Sequence, residues 1–214
     1  MRFSKITFLL FFSFCVQSIA AQIKKDPNKI TNPSTESVLL ASYTQSQKDS
    51  YMVMNYAKPT PCKYMTKKEM EVIQYINVAR MYPLWFIKFA NLLNPQTPNE
   101  ISLVYKLKTM KTIPEPLLPD SIQWSNAKCH ALTSGIDGYV GHDRRRNCTK
   151  SFFGECCDYG NDDALEIVKS LLIDEGVPSL GHRNICLDEA YKKMGVSIQP
   201  HKEYGVNAVL DFIF

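Results

Sequence analysis

The stretch Val206-Asn207-Ala208-Val209-Leu210-Asp211-Phe212-Ile213-Phe214 decides the fold class. Val206, Ala208, Leu210, Phe212 and Phe214 share one parity, so in an extended chain they line one face. Val209 and Ile213 make the opposite face apolar too. A strand apolar on both faces needs cover on both sides, as strands layered between other elements do. Val196-Ser197-Ile198 reads as a further strand, entered from a short helical turn that Gly195 closes.

Upstream, the periodicity changes from two to 3.6. Thr66-Lys67-Lys68-Glu69 is a capping box, in which Thr66 serves the amide of Glu69 and Glu69 reaches back. The helix it opens carries Val72, Ile73, Ile76 and Ala79 at spacings of three and four, with Asn77 and Arg80 as polar partners. Pro83 suits a first helical position and launches a stretch through Leu84, Trp85, Phe86, Phe89, Leu92 and Leu93. After the proline-rich connection 114–119, Asp120 and Gln123 mark another start, with Trp124, Ala127 and Ala131 on one face and a structural His130 beside them. Asp163 and Glu166 cap a helix striped by Ala164, Leu165, Val168, Leu171 and Leu172, whose end delivers Asp174 and Glu175 ahead of His182. Helices first, strands late and a strand covered on both faces predict an α+β fold. The expected form is a three-layer α-β-α sandwich with a mixed, largely antiparallel central sheet.

The start of the chain suggests its compartment. Arg2 and Lys5 precede the apolar run 6–16, and Ser18-Ile19-Ala20 offers small residues for cleavage, so residues 1–21 read as a secretory signal peptide. Ile19-Ala20-Ala21, with Gln22 as the new N-terminus, is a second cleavage option. The run is too short for a transmembrane helix, which takes roughly 20 apolar residues. A lipid anchor on Cys15 is disfavoured by the bulky Phe12-Ser13-Phe14 before it. The expected location is therefore extracellular, or periplasmic in a Gram-negative cell. Residues 22–61 read as a polar linker or extended arm, and 62–214 as one domain.

Loss of the leader lowers the formal charge from +4 to +2 and leaves six of the seven cysteines, Cys62, Cys129, Cys148, Cys156, Cys157 and Cys186. In an exported chain these read as a framework of three disulfides with open connectivity. No C-x-x-C pair is present, which argues against a structural zinc ribbon. The small charge argues against nucleic acid as a partner, and Arg144-Arg145-Arg146 reads as a solvated loop.

A polar constellation remains: Gly141-His142, Gly154-Glu155, Asp174-Glu175 and Gly181-His182-Arg183-Asn184. With Asn77-Val78-Ala79-Arg80, the segment from Leu118 to His130 and Met194-Gly195-Val196, its order resembles the CAP superfamily of cysteine-rich secretory proteins, in its bacterial SCP-like branch. That resemblance implies a cavity lined by His142, Glu155, Glu175 and His182, with Asp174 as the alternative to Glu175. It also implies that His142 and His182 hold Zn²⁺ or another divalent cation weakly. Cys156-Cys157 departs from the family pattern after Gly154-Glu155.

Two functions follow. The first is a non-catalytic extracellular binding or interaction module whose cavity meets an unidentified ligand or protein. The second is a metal-dependent hydrolase of peptide or ester bonds, with Glu155 and Glu175 as the candidate catalytic carboxylates. No G-x-S-x-G elbow or H-E-x-x-H motif supports the second, and a hydrogen-bonded His/carboxylate cluster explains the same residues without metal. Lipid or sterol binding occurs in the family, but no matching loop motif is visible here.

Overall fold

The computed structural model describes residues 44–214. The leader and residues 22–43 of the polar arm lie outside the described residues. Within the rest of that arm a helix, α1 (Gln45–Tyr56), stands where an extended linker is expected. Its end carries Val53, followed by Ala57, and both are buried in the core. The compact unit accordingly spans Met52–Phe214 and begins ahead of Cys62. A polar composition concealed two apolar positions that are sufficient to dock the end of a helix.

α2 (Lys67–Met81) opens with the complete capping box of Thr66 and Glu69. Val72, Ile73, Ile76 and Ala79 are fully buried, as their spacing predicts. Asn77 and Arg80 are buried too, and serve as staples. Asn77 donates to the carbonyls of Ala57 and Leu117 and accepts from the Leu117 amide. The Arg80 guanidinium donates to the carbonyls of Cys186, Asp188 and Tyr191, fixing a distant loop. α3 (Pro83–Phe89) stops earlier than expected: Asn91 turns left-handed, and Leu93 is left exposed. α4 (Pro98–Thr109) was missed in the sequence, although Thr97-Pro98-Asn99-Glu100 encodes a capping box with proline in the first turn.

The sheet has four strands among the described residues: β1 (Leu118–Pro119), β2 (Gly154–Tyr159), β3 (Lys193–His201) and β4 (Gly205–Ile213). Their order is β1-β3-β4-β2, with β1 parallel to β3 and the other pairs antiparallel. The fold is thus α+β with a mixed sheet. On β4, Ala208, Leu210 and Phe212 enter the main core with Ile73, Ile76, Val168 and Leu172. Val209 faces a smaller cluster with Ala127, Ala131 and Cys157. The parity read from 206–214 thus sorts Ala208, Leu210 and Phe212 onto one covered face and Val209 onto the other, while Phe214, past the end of the strand, is left exposed.

α5 (Ser121–Asp137), capped by Asp120, lies against β3 and β4. Gly195 does not close a helical turn; it sits within β3. A Cβ there would fall 1.9 Å from the Trp124 amide nitrogen, and one at Gly135 would fall 2.0 Å from the Pro200 carbonyl oxygen. A glycine near each end thus lets helix and strand backbones touch. α6 (Ala164–Ile173), capped by Asp163, and the short α7 (Gly181–Cys186) complete the domain. None of the described helices is long and apolar enough to cross a membrane.

Candidate functional site

β2 pairs only with β4, so it forms one edge of the sheet. Glu155 lies opposite Asp211 and Cys157 opposite Val209, which puts these four side chains on the α5 side. Cys156 alternates onto the other face and joins the main core. His142 reaches Glu155 from the loop after α5, and His182 comes from α7, which packs on β2. The two loops meet across the sheet edge.

Local backbone geometry aims both rings. Gly141 has φ +138°, and a Cβ there would stand 2.6 Å from the Tyr139 hydroxyl. Asp174 and Leu180 both adopt left-handed φ, at 58° and 51°, and bracket the loop that leads into α7. Asp174 Oδ2 accepts from the backbone amides of His182 and Arg183, so one carboxylate caps α7 and orients the imidazole it precedes.

His142 Nδ1 lies 2.8 Å from Glu155 Oε1, and His182 Nδ1 lies 2.7 Å from Asp174 Oδ1. The two ring centroids are 5.8 Å apart. Neither Nε2 has a hydrogen-bond partner among the described residues. Three of the four expected cavity residues, His142, Glu155 and His182, therefore assemble. Glu175 does not join them: it is exposed and accepts from Thr97 Oγ1 at 3.1 Å. The partner of His182 is Asp174, because the left-handed turn at Asp174 sends neighbouring side chains in different directions.

A buried ion cluster underlies Glu155. The Arg144 guanidinium pairs with the Glu155 carboxylate and donates to both oxygens of Asp211 at 2.8 Å. Arg144 is only 6% exposed at its side chain, so it is not part of a solvated basic run. Arg145 and Arg146 remain outward and pair with Asp137. Burial pushes the Asp211 carboxyl up to about 8, with Arg144 opposing the shift and Glu155 reinforcing it. Burial also acts to raise Glu155, but His142 and Arg144 together hold it below the usual carboxylate range.

The cysteines depart from the expected framework. Cys129 and Cys148 form a disulfide, whereas Cys62, Cys156, Cys157 and Cys186 are free thiols. Cys156 and Cys186 bring their Sγ atoms to 3.9 Å in the core. Cys157 Sγ lies 3.9 Å from the Gly141 carbonyl oxygen and 3.8 Å from His142 Nδ1. Burial raises the Cys157 thiol well above its ordinary range, with Glu155 adding to the effect.

His130 extends toward the same place from α5. It is fully buried, and burial lowers its pKa, which favours the neutral ring. A ring nitrogen of His130, a carboxylate oxygen of Glu155 and Cys157 Sγ all lie within 4.8 Å of one another, a grouping that could hold a metal ion. Its place on the helix beside Trp124, Ala127 and Ala131 predicts a structural role, and nothing in the local sequence points to Cys157. No repeat or local motif links α5 to β2; only the helix-on-sheet packing does.

Comparison with known protein families, curated proteins and solved structures finds no match to this chain.

Proposed function

We propose that this chain is a secreted CAP/SCP-like binding module whose ligand cleft is formed by His142 and His182, braced by Glu155 and Asp174. The reading joins the CAP-like order of residues to the leader at 1–21. It takes the two covered sheet faces as a three-layer α-β-α sandwich. One observation carries it: two imidazole rings lie with their centroids 5.8 Å apart, each held at Nδ1 by a carboxylate.

Such bracing is what a metal-binding imidazole needs, since the carboxylate fixes the tautomer and leaves Nε2 as the donor. With Zn–N at ~2.0–2.1 Å, an ion stands ~3.2 Å from a ring centroid, so two rings sharing it lie ~5–6.4 Å apart. The observed spacing falls in that range, and the residues fit a weakly held Zn²⁺ or similar cation. Two protein ligands leave open positions for an extracellular ligand.

Binding is favoured over hydrolysis by the state of Glu155. A carboxylate engaged by both Arg144 and His142, and held below its usual pKa, is a poor general base. The test is calorimetric titration of the full chain with Zn²⁺, beside His142→Ala and His182→Ala. A weak binding event lost in both variants, distinct from any binding they retain, with no turnover across a peptidase and esterase panel, is the expected result. Metal-dependent turnover that vanishes in both variants would establish the hydrolase instead.

A further inference from the structure

Beneath the cleft, the chain brings together three different metal-ligand chemistries from two elements. His130 comes from α5, and Glu155 and Cys157 come from the α5-facing side of β2. We propose that His130, Cys157 and Glu155 form a second, buried cation site, built for Zn²⁺ or a similar first-row divalent ion.

Three observations support it. The first is the mutual spacing of the three ligand atoms, all within 4.8 Å. Ligands bound at ~2.0–2.3 Å around a tetrahedral ion stand ~3.3–3.8 Å apart, so closure by about 1 Å completes the set. The second is an unpartnered lone pair on a fully buried ring. His130 Nε2 lies 3.0 Å from the Gly141 carbonyl oxygen, and a carbonyl only accepts, so Nε2 carries the proton. Nδ1 is then an acceptor with nothing to accept, and it has no hydrogen-bond partner. The third is charge: the buried Glu155 carboxylate is itself one of the three groups, so a divalent ion there would meet a negatively charged oxygen rather than an apolar wall. Both Glu155 oxygens are engaged, yet each keeps a second lone pair.

The donor set selects the metal. A thiolate beside an imidazole suits zinc-like ions, whereas Ca²⁺ and Mg²⁺ take oxygen ligands. Because α5 lies against β3 and β4, an ion here would tie the edge strand β2 to α5 and steady Glu155 from behind. Binding displaces the thiol proton into solvent and forms the metal–sulfur bond, with no redox change.

The site stands apart from the cleft reading because it contains sulfur and the cleft does not. Co²⁺ is titrated into the full chain, and the near-ultraviolet sulfur-to-cobalt absorption is followed. We expect a one-to-one signal that Zn²⁺ displaces, that Cys157→Ser weakens at least ~10-fold, and that His182→Ala leaves unchanged. His130→Gln, which can still donate to Gly141, is expected to weaken the signal as well; it supplies the answer if the serine variant does not fold. No sulfur-to-cobalt absorption in the parent chain, or an equal signal in both site variants, overturns the proposal. Loss of the signal in His182→Ala overturns it too, by placing the ion in the cleft. Failure of cleft binding leaves the sulfur signal unaffected, so the two readings fail separately.

Discussion

Asp174 and His182 are joined twice: Oδ1 meets the ring Nδ1 at 2.7 Å, and Oδ2 accepts the His182 backbone amide at 2.9 Å. One carboxylate thus sets both the start of α7 and the direction of its histidine. Asp174→Ala is expected to cost ~2–3 kcal/mol, the range for hydrogen bonds to a buried charge. Asp174→Asn should cost less, because asparagine tolerates the left-handed backbone and still accepts one bond. Glu175→Gln should stay within ~0.5 kcal/mol. Urea unfolding of the three variants checks the order.

The approach of α5 to β3 depends on two missing side chains. Gly195→Ala places a methyl group inside the backbone of Trp124 and should destabilise by at least ~3 kcal/mol. Gly176→Ala is the control: it also strains a positive φ, but meets no atom within 4 Å, so ~1 kcal/mol is expected. Thermal unfolding of both separates contact from backbone strain.

The pair Glu155 and Asp211 gives stability a pH signature in the metal-free chain. Asp211 is pushed up to about 8 in the folded protein, against ~3.9 for an ordinary aspartate. Between these values the native state holds a proton that the unfolded chain has lost, so this contribution is complete below about pH 4 and is lost as pH rises toward 8. Unfolding free energies measured across that interval in chelator should fall with pH, and Asp211→Asn should flatten the slope.

Cys129 and Cys148 close a loop with a sequence separation of 19. Replacing both with serine should cost ~3 kcal/mol through the entropy returned to the unfolded chain. Peptide mapping without reductant should recover this bridge and should find Cys62, Cys156, Cys157 and Cys186 alkylated after denaturation. A bridge between Cys156 and Cys186 would contradict that assignment.

Much of the fold was legible in short-range chemistry. Thr66 with Glu69, Asp120 and Asp163 start their helices where the caps stand, since a cap requires only neighbouring amides. Thr97 with Glu100 carries the same kind of signal for α4. His142, Glu155 and His182 were legible as polar residues that follow glycines in an order resembling a known family, although nothing local to those motifs shows that they meet.

The sequence by itself determined the α+β class, the capped helices and the two-faced character of 206–214, because these depend on periodicity and bonds to near neighbours. Only the tertiary structure decided that Asp174 rather than Glu175 holds His182, that Arg144 is buried between two carboxylates, and that His130 lies beside Cys157. Each of those depends on backbone direction at a turn or on a helix packing across a sheet. Such contacts join residues far apart in the chain and leave no local pattern.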